Sequence, residues 1–531
     1  MIARVARLLR TVRHLGARQI LTRVARVTER MWWRMTSANA PKGIAPPLRE
    51  HVPLWRELEI DDAGRARGHE IVAGRFTFLN ETREHPTWNA TEASRLWRFH
   101  LEYFDYVRDL LVLAAAGERE VTYATFRDLV RSWIDAHRKL RGVGWQAYTA
   151  SLRVVNWCEA AVFFQRELEE DPQFAHSFLD SIAVQTRFID AHPETDVRGN
   201  HLLENARALV RAAFFFEGDE ARRWLDHALQ ILEREIPEQI LDDGGHFERV
   251  PGYHLRVMEV LDDIASLLRE NDAGLQWIED TTARMHTFLA TITPANGRIP
   301  LLKDTAFGVR QPQLPLCHDS RWLSASGFAV IRGNGDHLIA DFGRVCPDYL
   351  PAHAHADLFS FELTIDDQPV IVDSGAYEYA AGEWRSWFRS TPAHNTVSID
   401  GRDQSEMYDS FRVGRRAQVR DVVWTQTPEL TSISGTHDGF TPHLHHRTIM
   451  ALHDRRAWIV LDRIDGPPGH VAKSYIHLHP DHPELNFTPL GAVTVEEEEG
   501  WYSEEFGVKR RNRVIVLSAE TPAWFGYVIG S

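Results

Sequence analysis

The first pattern along the chain is a helical periodicity of apolar residues from about residue 91 to residue 293. Apolar side chains recur every three to four positions in eight successive segments, as expected for amphipathic helices. The predicted helices are Ala93–Ala116, Thr122–Leu140, Ala150–Glu167, Pro172–Ala191, His201–Phe216, Glu220–Glu235, Tyr253–Leu268 and Leu275–Ile292. Breaks rich in glycine or proline separate them. This succession predicts a helical array or an incomplete toroid of helical hairpins.

The period changes after Asn296-Gly297, where short alternating runs replace the helical pattern. Residues 327–333 and 337–343 predict two strands joined by a turn at Asn334-Gly335-Asp336. Further runs of the same kind predict an antiparallel β-sandwich. The predicted fold class is therefore α+β with two main domains. The predicted divisions are a basic N-terminal helix over 1–40, a linker and short irregular segment over 41–90, the toroid over 91–310 and the sandwich over 311–531.

The N-terminal segment is strongly basic. Residues 1–34 contain nine arginines and one acidic residue, Glu29, with apolar residues at helical spacing. This pattern predicts a basic amphipathic helix, which either contacts a membrane surface or lies on its own protein. No cleavable signal peptide and no membrane-spanning run is visible in the sequence.

Composition narrows the function classes. The chain has 531 residues and a formal net charge of −15, which argues against a general nucleic-acid binder. The three cysteines are far apart and predict neither a disulfide framework nor a thiolate metal site. The high aromatic content suits either core packing or stacking on sugar rings. Oligomeric state cannot be read from the sequence.

The segment Ala352-His353-Ala354-His355-Ala356-Asp357 contains the clearest candidate chemistry. On a strand, His353 and His355 would share one face. Together with Asp373 and His394 they form a ligand set that suits zinc, and one of the paired histidines could stay free for chemistry. The alternative is that these are ordinary polar positions on a sheet.

Two further polar segments interrupt the helical region. In the first, Asn200 is either a helix N-cap or, with His201 and Glu204, part of one cavity face. In the second, residues 242–254 form a loop dense in glycine and polar groups, from which Tyr253 should project at a helix start. There the helix dipole and the cationic neighbours Arg249, His254 and Arg256 would favour its phenolate.

Five segments of the chain resemble the heparinase II/III family of polysaccharide lyases. They are RGNHLLENARAL, DGGHFERVPGYH, HAHADLFSFEL, VIVDSGAY and FRSTPAHNTVSIDGRDQSE. The resemblance spans roughly residues 90 to 480 and implies an incomplete (α/α) toroid followed by an antiparallel β-sandwich, which agrees with the change of period.

The resemblance also implies roles for individual residues. Asn200 matches the asparagine that neutralises the substrate carboxylate, Tyr253 the catalytic tyrosine, and His353 a catalytic-site histidine. The further expected residues are His201 and Glu204 beside Asn200; Tyr148, Arg153, His246, Glu248 and Arg249 for substrate binding; and His355, Asp373 and His394 as ligands of a structural divalent metal, zinc.

The implied function is cleavage of a uronate-containing anionic polysaccharide by β-elimination, with Tyr253 as base and acid and with carboxylate neutralisation by Asn200 and His353. The resemblance implies a place in the bacterial cell envelope or periplasm, with the cytoplasm or the inner-membrane surface as the alternative. Two other functions stay open: a glycoside hydrolase that uses paired acids such as Asp243 and Glu248, and a non-catalytic polysaccharide-binding protein.

Overall fold

The computed structural model describes residue 7 and residues 9–50, 58–306, 314–315, 317–482 and 484–530. Parts of the predicted N-terminal helix and linker, and the predicted boundary at 310/311, lie outside these residues. The chain divides into two compact units. The helical unit comprises Gly16–Glu238 and Val257–Thr282, and the sheet unit comprises Met1–Leu15, Gln239–Arg256 and Ala283–Ser531.

The predicted helices are confirmed, with small shifts at their ends. The helices before the sheets are Ala17–Thr36, Asp62–Val72, Arg95–Tyr103, Val107–Leu113, Arg119–Ala136, Ala147–Phe163, Gln165–Glu170, Pro172–Ala191, Gly199–Phe215, Asp219–Gln239, Pro251–Glu270 and Gln276–Ile292. The predicted segment 93–116 is divided because Phe104 adopts a left-handed conformation, with φ of 62°. A π-helical turn, Ala114–Glu118, follows the second piece.

The predicted N-terminal helix is not continuous in the described residues. Residues 13–15 form a turn, and a new helix begins at Ala17. The next helix is Asp62–Val72. The Asp61 carboxylate caps the start of that helix by accepting from the Gly64 backbone N–H. The strand Arg75–Phe78 begins only after Gly74, whose φ of 77° turns the chain.

Large aromatic side chains fill the core of the helical unit. Trp97, Trp133 and Trp157 are almost completely buried, and Trp133 and Trp157 meet edge to face. The aromatic richness in this region therefore serves packing.

The sheet unit is built from antiparallel strands. A small hairpin of β1 and β2 belongs to the helical unit, and a two-stranded ribbon of β9 and β10 accompanies three larger sheets. The strands are β1 Arg75–Phe78, β2 Glu81–Glu84, β3 Arg321–Leu323, β4 Phe328–Gly333, β5 Asp336–Asp341, β6 Phe361–Ile365, β7 Gln368–Ile371, β8 Val397–Ile399, β9 Met407–Tyr408, β10 Arg412–Val413, β11 Val419–Gln426, β12 Leu430–Phe440, β13 His443–Leu452, β14 Ala457–Asp465, β15 Val471–His477, β16 Phe487–Leu490, β17 Thr494–Glu505, β18 Val508–Glu520 and β19 Ala523–Gly530.

The three larger sheets share one apolar core. Their strand orders are β3-β4-β5-β6-β7, β17-β18-β15-β8 and β11-β12-β13-β14-β19-β16. Alternating inward side chains from all three, such as Ile331, Ile515 and Val460, belong to the same buried cluster. The predicted antiparallel β-sandwich is confirmed.

The prediction that His353 and His355 lie on a strand is wrong. Residues 351–360 form turns, and the strand β6 begins only at Phe361. The backbone of this segment pairs with Arg389 instead of with a neighbouring strand. The Ala356 N–H donates to the Arg389 carbonyl at 3.0 Å, and the Arg389 guanidinium donates back to the Ala354 carbonyl at 3.0 Å. The two histidines nevertheless meet at a common partner.

Candidate active site around Asp304

A buried aspartate of the sheet unit collects three charged or polar side chains. Asp304 Oδ2 lies 3.0 Å from His353 Nδ1 and 2.8 Å from Arg385 Nη2. Asp304 Oδ1 lies 2.9 Å from His355 Nε2 and also accepts from Arg385 Nη1. We call these four residues the Asp304 cluster. Asp304 follows a buried apolar run, and Arg385 lies on the short helix Glu383–Phe388.

The charge state of Asp304 fixes the tautomers of both histidines. Burial opposes its ionisation, but the Arg385 guanidinium and the hydrogen bonds from the two imidazoles hold the pKa of Asp304 well below its usual range. The ionised carboxylate accepts, so His353 donates from Nδ1 and His355 from Nε2. Burial lowers the pKa of His355 to about 4, so this ring is neutral near pH 7. The second nitrogen of the neutral His355 ring, Nδ1, carries a lone pair.

Tyr253 lies against the cluster at the start of the helix Pro251–Glu270, as predicted. Its ring stacks on the His353 imidazole with ring centroids 3.8 Å apart, and its hydroxyl lies 3.2 Å from the Tyr379 hydroxyl. The Gly252 N–H donates to Thr305 Oγ1 at 3.0 Å, which ties this helix start to the residue after Asp304. The phenol and the imidazole are therefore held side by side.

The expectation that cations favour a Tyr253 phenolate is not supported by its surroundings. Desolvation, the Tyr379 hydroxyl and the nearby acids Asp304 and Glu248 raise the pKa of Tyr253 well above its usual value. Burial lowers the pKa of His254 to about 3, so that imidazole is uncharged. Arg249 donates to the backbone carbonyls of residues 247, 325 and 326. Tyr253 is thus a neutral phenol in the free protein.

Glu248 contributes a second acid beside His353. Its Oε2 lies 4.0 Å from His353 Nε2, and neither carboxyl oxygen has a hydrogen-bond partner among the described residues. Burial, with a contribution from Asp304, raises the pKa of Glu248 to about 8, so the carboxyl group is mostly protonated near pH 7. His246, another predicted substrate-binding residue, is buried, and burial lowers its pKa well below the usual value. The Arg249 guanidinium donates to backbone carbonyls, so Arg249 has a structural role.

The residues predicted on the helical unit fall into two groups. Asn200 is the second residue of the helix Gly199–Phe215, so it is not the N-cap, which is Arg198. Asn200 is buried. His201 stacks on Tyr148 with centroids 4.2 Å apart and faces Glu194 at 3.3 Å.

Glu204 and Arg153 have structural positions in the helical unit. Glu204 is buried and accepts from Arg207 at 3.2 Å, and Arg207 also pairs with Asp263. Arg153 is completely buried; its guanidinium donates to Gln185, to the Glu102 and Gly144 carbonyls and lies over the Trp133 ring at 3.9 Å. Neither side chain reaches solvent.

The predicted zinc ligands show a partial fit to a metal. His394 Nδ1 lies 2.8 Å from Asp373 Oδ2, and the rings of His394 and His355 are 5.2 Å apart. His394 Nε2 and His355 Nδ1 are buried without hydrogen-bond partners among the described residues, as two imidazole ligands would be. Asp373 instead supports His394, and the described residues contain no group of three or more His, Cys, Asp or Glu arranged to hold an ion. Zinc stays a prediction.

Sequence reasoning missed three members of this site. Asp304, Arg385 and Tyr379 are separated from Tyr253 by 50 or more positions, so no local pattern joins them. Tyr379 follows the segment VIVDSGAY, which signalled the family but no role. A charged pair, Lys303-Asp304, directly after the apolar run Ile299–Leu302 was the available signal for a buried carboxylate.

Comparison with known proteins points to one family. Two protein-family sequence models match the chain. The family model described as Heparinase II/III N-terminus matches residues 79–311, and the one described as Heparinase II/III-like, C-terminal, matches residues 317–523. Together they cover most of the chain.

Curated relatives and solved structures agree with these matches. A heparin-sulfate lyase of Bacteroides stercoris is 25% identical over 402 residues, covering 65% of this chain and 58% of the relative. FtsZ-localized protein C of Caulobacter vibrioides is 25% identical over 366 residues, covering 65% and 60%. The matches thus span less than two thirds of these relatives. A crystal structure of heparinase III has the same fold, with a TM-score of 0.75, 17% identity and coverage of 92% and 88%.

Proposed function

The chain belongs to the heparinase II/III family, and on this basis we propose that it is a polysaccharide lyase that cleaves a uronate-containing anionic polysaccharide by β-elimination. The observation that carries the proposal is the Asp304 cluster with Tyr253 stacked on it. There an oriented imidazole and a neutral phenol, both half-buried, lie next to the protonated acid Glu248.

The reaction needs three groups. The base takes the proton from C5 of the uronate, the C4–O bond breaks as a C4=C5 double bond forms, and an acid gives a proton to the leaving oxygen. The C5 proton is weakly acidic because the adjacent carboxylate is negatively charged. Hydrogen-bond donors that neutralise this carboxylate lower the barrier by stabilising the developing enolate.

His353 is the proposed base. Asp304 accepts from its Nδ1–H, so Nε2, which lies 4.0 Å from Glu248 Oε2, is the nitrogen proposed to accept the C5 proton. The aspartate then stabilises the imidazolium that forms, as in other catalytic Asp–His pairs. Arg385 keeps Asp304 ionised and fixed by binding both of its oxygens.

Tyr253 is the proposed acid. A phenol whose pKa is raised keeps its proton until negative charge develops on the leaving oxygen. Tyr379, 3.2 Å away, orients the hydroxyl. Tyr253 was expected to act as both base and acid, and this proposal keeps only its role as acid, because its surroundings disfavour the phenolate.

Glu248 is proposed to neutralise the substrate carboxylate. Its carboxyl group, mostly protonated near pH 7, can donate a hydrogen bond to the substrate without adding repulsion. The family resemblance assigns the same task to Asn200 of the helical unit, and that assignment stays a prediction.

The hydrolase alternative is weakened by Asp243. A hydrolase uses a pair of catalytic acids, and Asp243 and Glu248 were the example that the sequence offered. Asp243 instead accepts from the Gly245 N–H at 3.1 Å and from the Ser326 N–H at 2.7 Å, so it stabilises the loop. The substrate is proposed only as a class, and the predicted place at the cell envelope stays a prediction.

Replacement of one hydroxyl tests the proposal. Tyr253→Phe should lower turnover of uronic polysaccharides by about 10²–10⁴-fold with little change in binding, measured by the near-ultraviolet absorbance of the unsaturated product. Tyr527→Phe is the matched control, because Tyr527 is a buried tyrosine of the sandwich whose hydroxyl has no partner within the described chain. If the wild type released new reducing ends from the polysaccharide without new near-ultraviolet absorbance, the reaction would be hydrolysis. If the wild type bound the polysaccharide but formed neither product, the protein would be non-catalytic.

A further inference from the structure

The helix Ala17–Thr36, here called the N-terminal helix, is attached to the helical unit along one face. Gln19 and Arg23 donate to the Asp196 carbonyl at 3.1 and 3.2 Å. Near the other end, the Trp33 ring meets the His192 ring edge to face with centroids 5.4 Å apart. Polar and aromatic contacts therefore fix which face points to solvent.

The solvent-facing side of this helix is apolar. Its exposed large apolar side chains are between 51% and 82% accessible and follow helical spacing. They are Leu21, Val24, Val27, Met31, Trp32 and Met35. We call them the apolar stripe. The described chain has seventeen exposed large apolar side chains, and six of them lie on this one helix. A concentration of this kind indicates a surface that is covered in use.

The charge on the helix indicates what covers it. The helix carries five arginines and one glutamate, whereas the whole chain has a formal net charge of −15. Arg30 and Arg34 are exposed beside the stripe. A negatively charged surface would attract this helix and repel most of the rest of the protein. The partner therefore combines negative charge with an apolar layer.

An anionic lipid bilayer has both properties. Pairing of two copies through the stripe would bring the arginines of one helix near those of the other. An anionic polysaccharide would pair with the arginines but leave the methionine, valine and leucine side chains in water. None of the helices in the described residues is long and apolar enough to cross a membrane, so binding would be parallel to the surface.

We propose that the N-terminal helix binds the surface of an anionic lipid bilayer, with the apolar stripe buried at the headgroup boundary and the flanking arginines facing the lipid phosphates. The inference is independent of the proposed lyase activity, because it uses no residue of the Asp304 site.

Vesicle flotation with the full chain tests the proposal. The protein should float with vesicles of phosphatidylcholine and phosphatidylglycerol, about 7:3, and should bind pure phosphatidylcholine at least tenfold more weakly. The variant Leu21→Gln/Met31→Gln/Met35→Gln should lose binding at least tenfold. Arg30→Gln/Arg34→Gln should weaken vesicle binding severalfold and make the binding less dependent on salt concentration.

Matched controls separate the stripe from general hydrophobicity. Val423→Gln/Val471→Gln/Trp524→Gln replaces three exposed apolar residues of the sandwich and should float like the wild type. Circular dichroism and turnover of soluble substrate should be unchanged in the stripe variant. The proposal would be overturned if the stripe variant floated as much as the wild type. It would also be overturned if the wild type bound equally to vesicles with and without phosphatidylglycerol. A dimer that the stripe variant abolishes, without flotation of the wild type, would show a self-association surface instead.

Discussion

Two clusters in the sheet unit are made from the same parts but differ in how completely those parts are used. Each has a buried aspartate bound through both oxygens by an arginine, together with two histidines. The first is the Asp304 cluster; the second, the Asp462 cluster, consists of Asp462, Arg447, His445 and His437. Their chemistry alone does not say which of the two is functional.

The Asp462 cluster is completely satisfied by the protein. Besides Asp462, Arg447 donates to the Phe359 and Asn395 carbonyls at 3.0 and 2.6 Å. His445 bridges Asp462 and His437, and His437 accepts from the Gly439 N–H at 3.1 Å. All of these side chains are buried. The cluster is a structural network.

The Asp304 cluster is incompletely satisfied. One nitrogen of His355 and both carboxyl oxygens of the adjacent Glu248 have no partner among the described residues, and the His353 side chain is 11% exposed. Buried polar groups are usually paired, so unpaired groups next to a partly exposed histidine are suited to contact a ligand. The two clusters have similar charge and histidine content, and they differ in whether polar atoms beside a partly exposed side chain remain unpaired.

The largest expected effect is on catalysis, from Asp304→Asn. An amide cannot accept from both imidazoles and the guanidinium, so His353 would lose its tautomer and orientation. We expect kcat to fall by about 10²–10⁴-fold, measured by product absorbance. If Asp304→Asn does not fold, His353→Gln provides the same test, because it leaves Asp304 and Arg385 in place. We expect a similar loss of kcat in this variant. Near-normal kcat in both variants would remove this cluster from the mechanism.

The reciprocal change, Asp462→Asn, should affect stability and not catalysis. It leaves the buried guanidinium of Arg447 without its counter-charge, and we expect the free energy of unfolding to fall by about 3–5 kcal/mol. Denaturant unfolding measures this loss, and kcat per folded molecule should be unchanged. Asp454→Asn, at an exposed position, is the control. A selective loss of kcat in Asp462→Asn would contradict the distinction between the two clusters.

The helices and the sandwich could be predicted because local periodicity encodes them. The Asp304 cluster could not, because its members come from distant loops and meet only after the sheet unit has folded. His353 and His355 show how pattern can mislead. Alternating alanine and histidine imitates the two-residue period of a strand, but the backbone pairs with Arg389. The sequence predicted that the two histidines lie in one site, but it did not identify Asp304 as their common partner.

A smaller effect is expected from Glu248→Gln, on the pH dependence of stability. Burial raises the pKa of Glu248 from 4.5 to about 8 in the folded protein. Between these pH values the unfolded chain has lost this proton while the folded protein keeps it, so Glu248 makes stability decrease as pH rises. The glutamine variant should show a shallower decrease in unfolding free energy from pH 5 to pH 8.

Glu362 provides the matched comparison for Glu248. Its pKa is also raised to about 8 by burial, but its Oε1 accepts from the Leu301 and Asp373 N–H groups, both at 3.1 Å. Glu362→Gln should likewise flatten the pH dependence of stability, whereas only Glu248→Gln should lower kcat, because only Glu248 faces His353. Equal effects of both variants on kcat would show that Glu248 acts by packing alone.

The smallest expected effect comes from removing metal. His355 and His394 each have one nitrogen held by a carboxylate and the other unpartnered, which is how metal-ligating histidines are commonly supported. In the Asp462 cluster, both nitrogens of His445 already have protein partners. We therefore expect the purified protein to contain zinc, and chelation or His394→Asn to remove it and to lower the thermal midpoint by a few degrees. His445→Asn should leave the zinc content unchanged. Metal-free protein with the same thermal midpoint before and after chelation would show that the two nitrogens are simply buried.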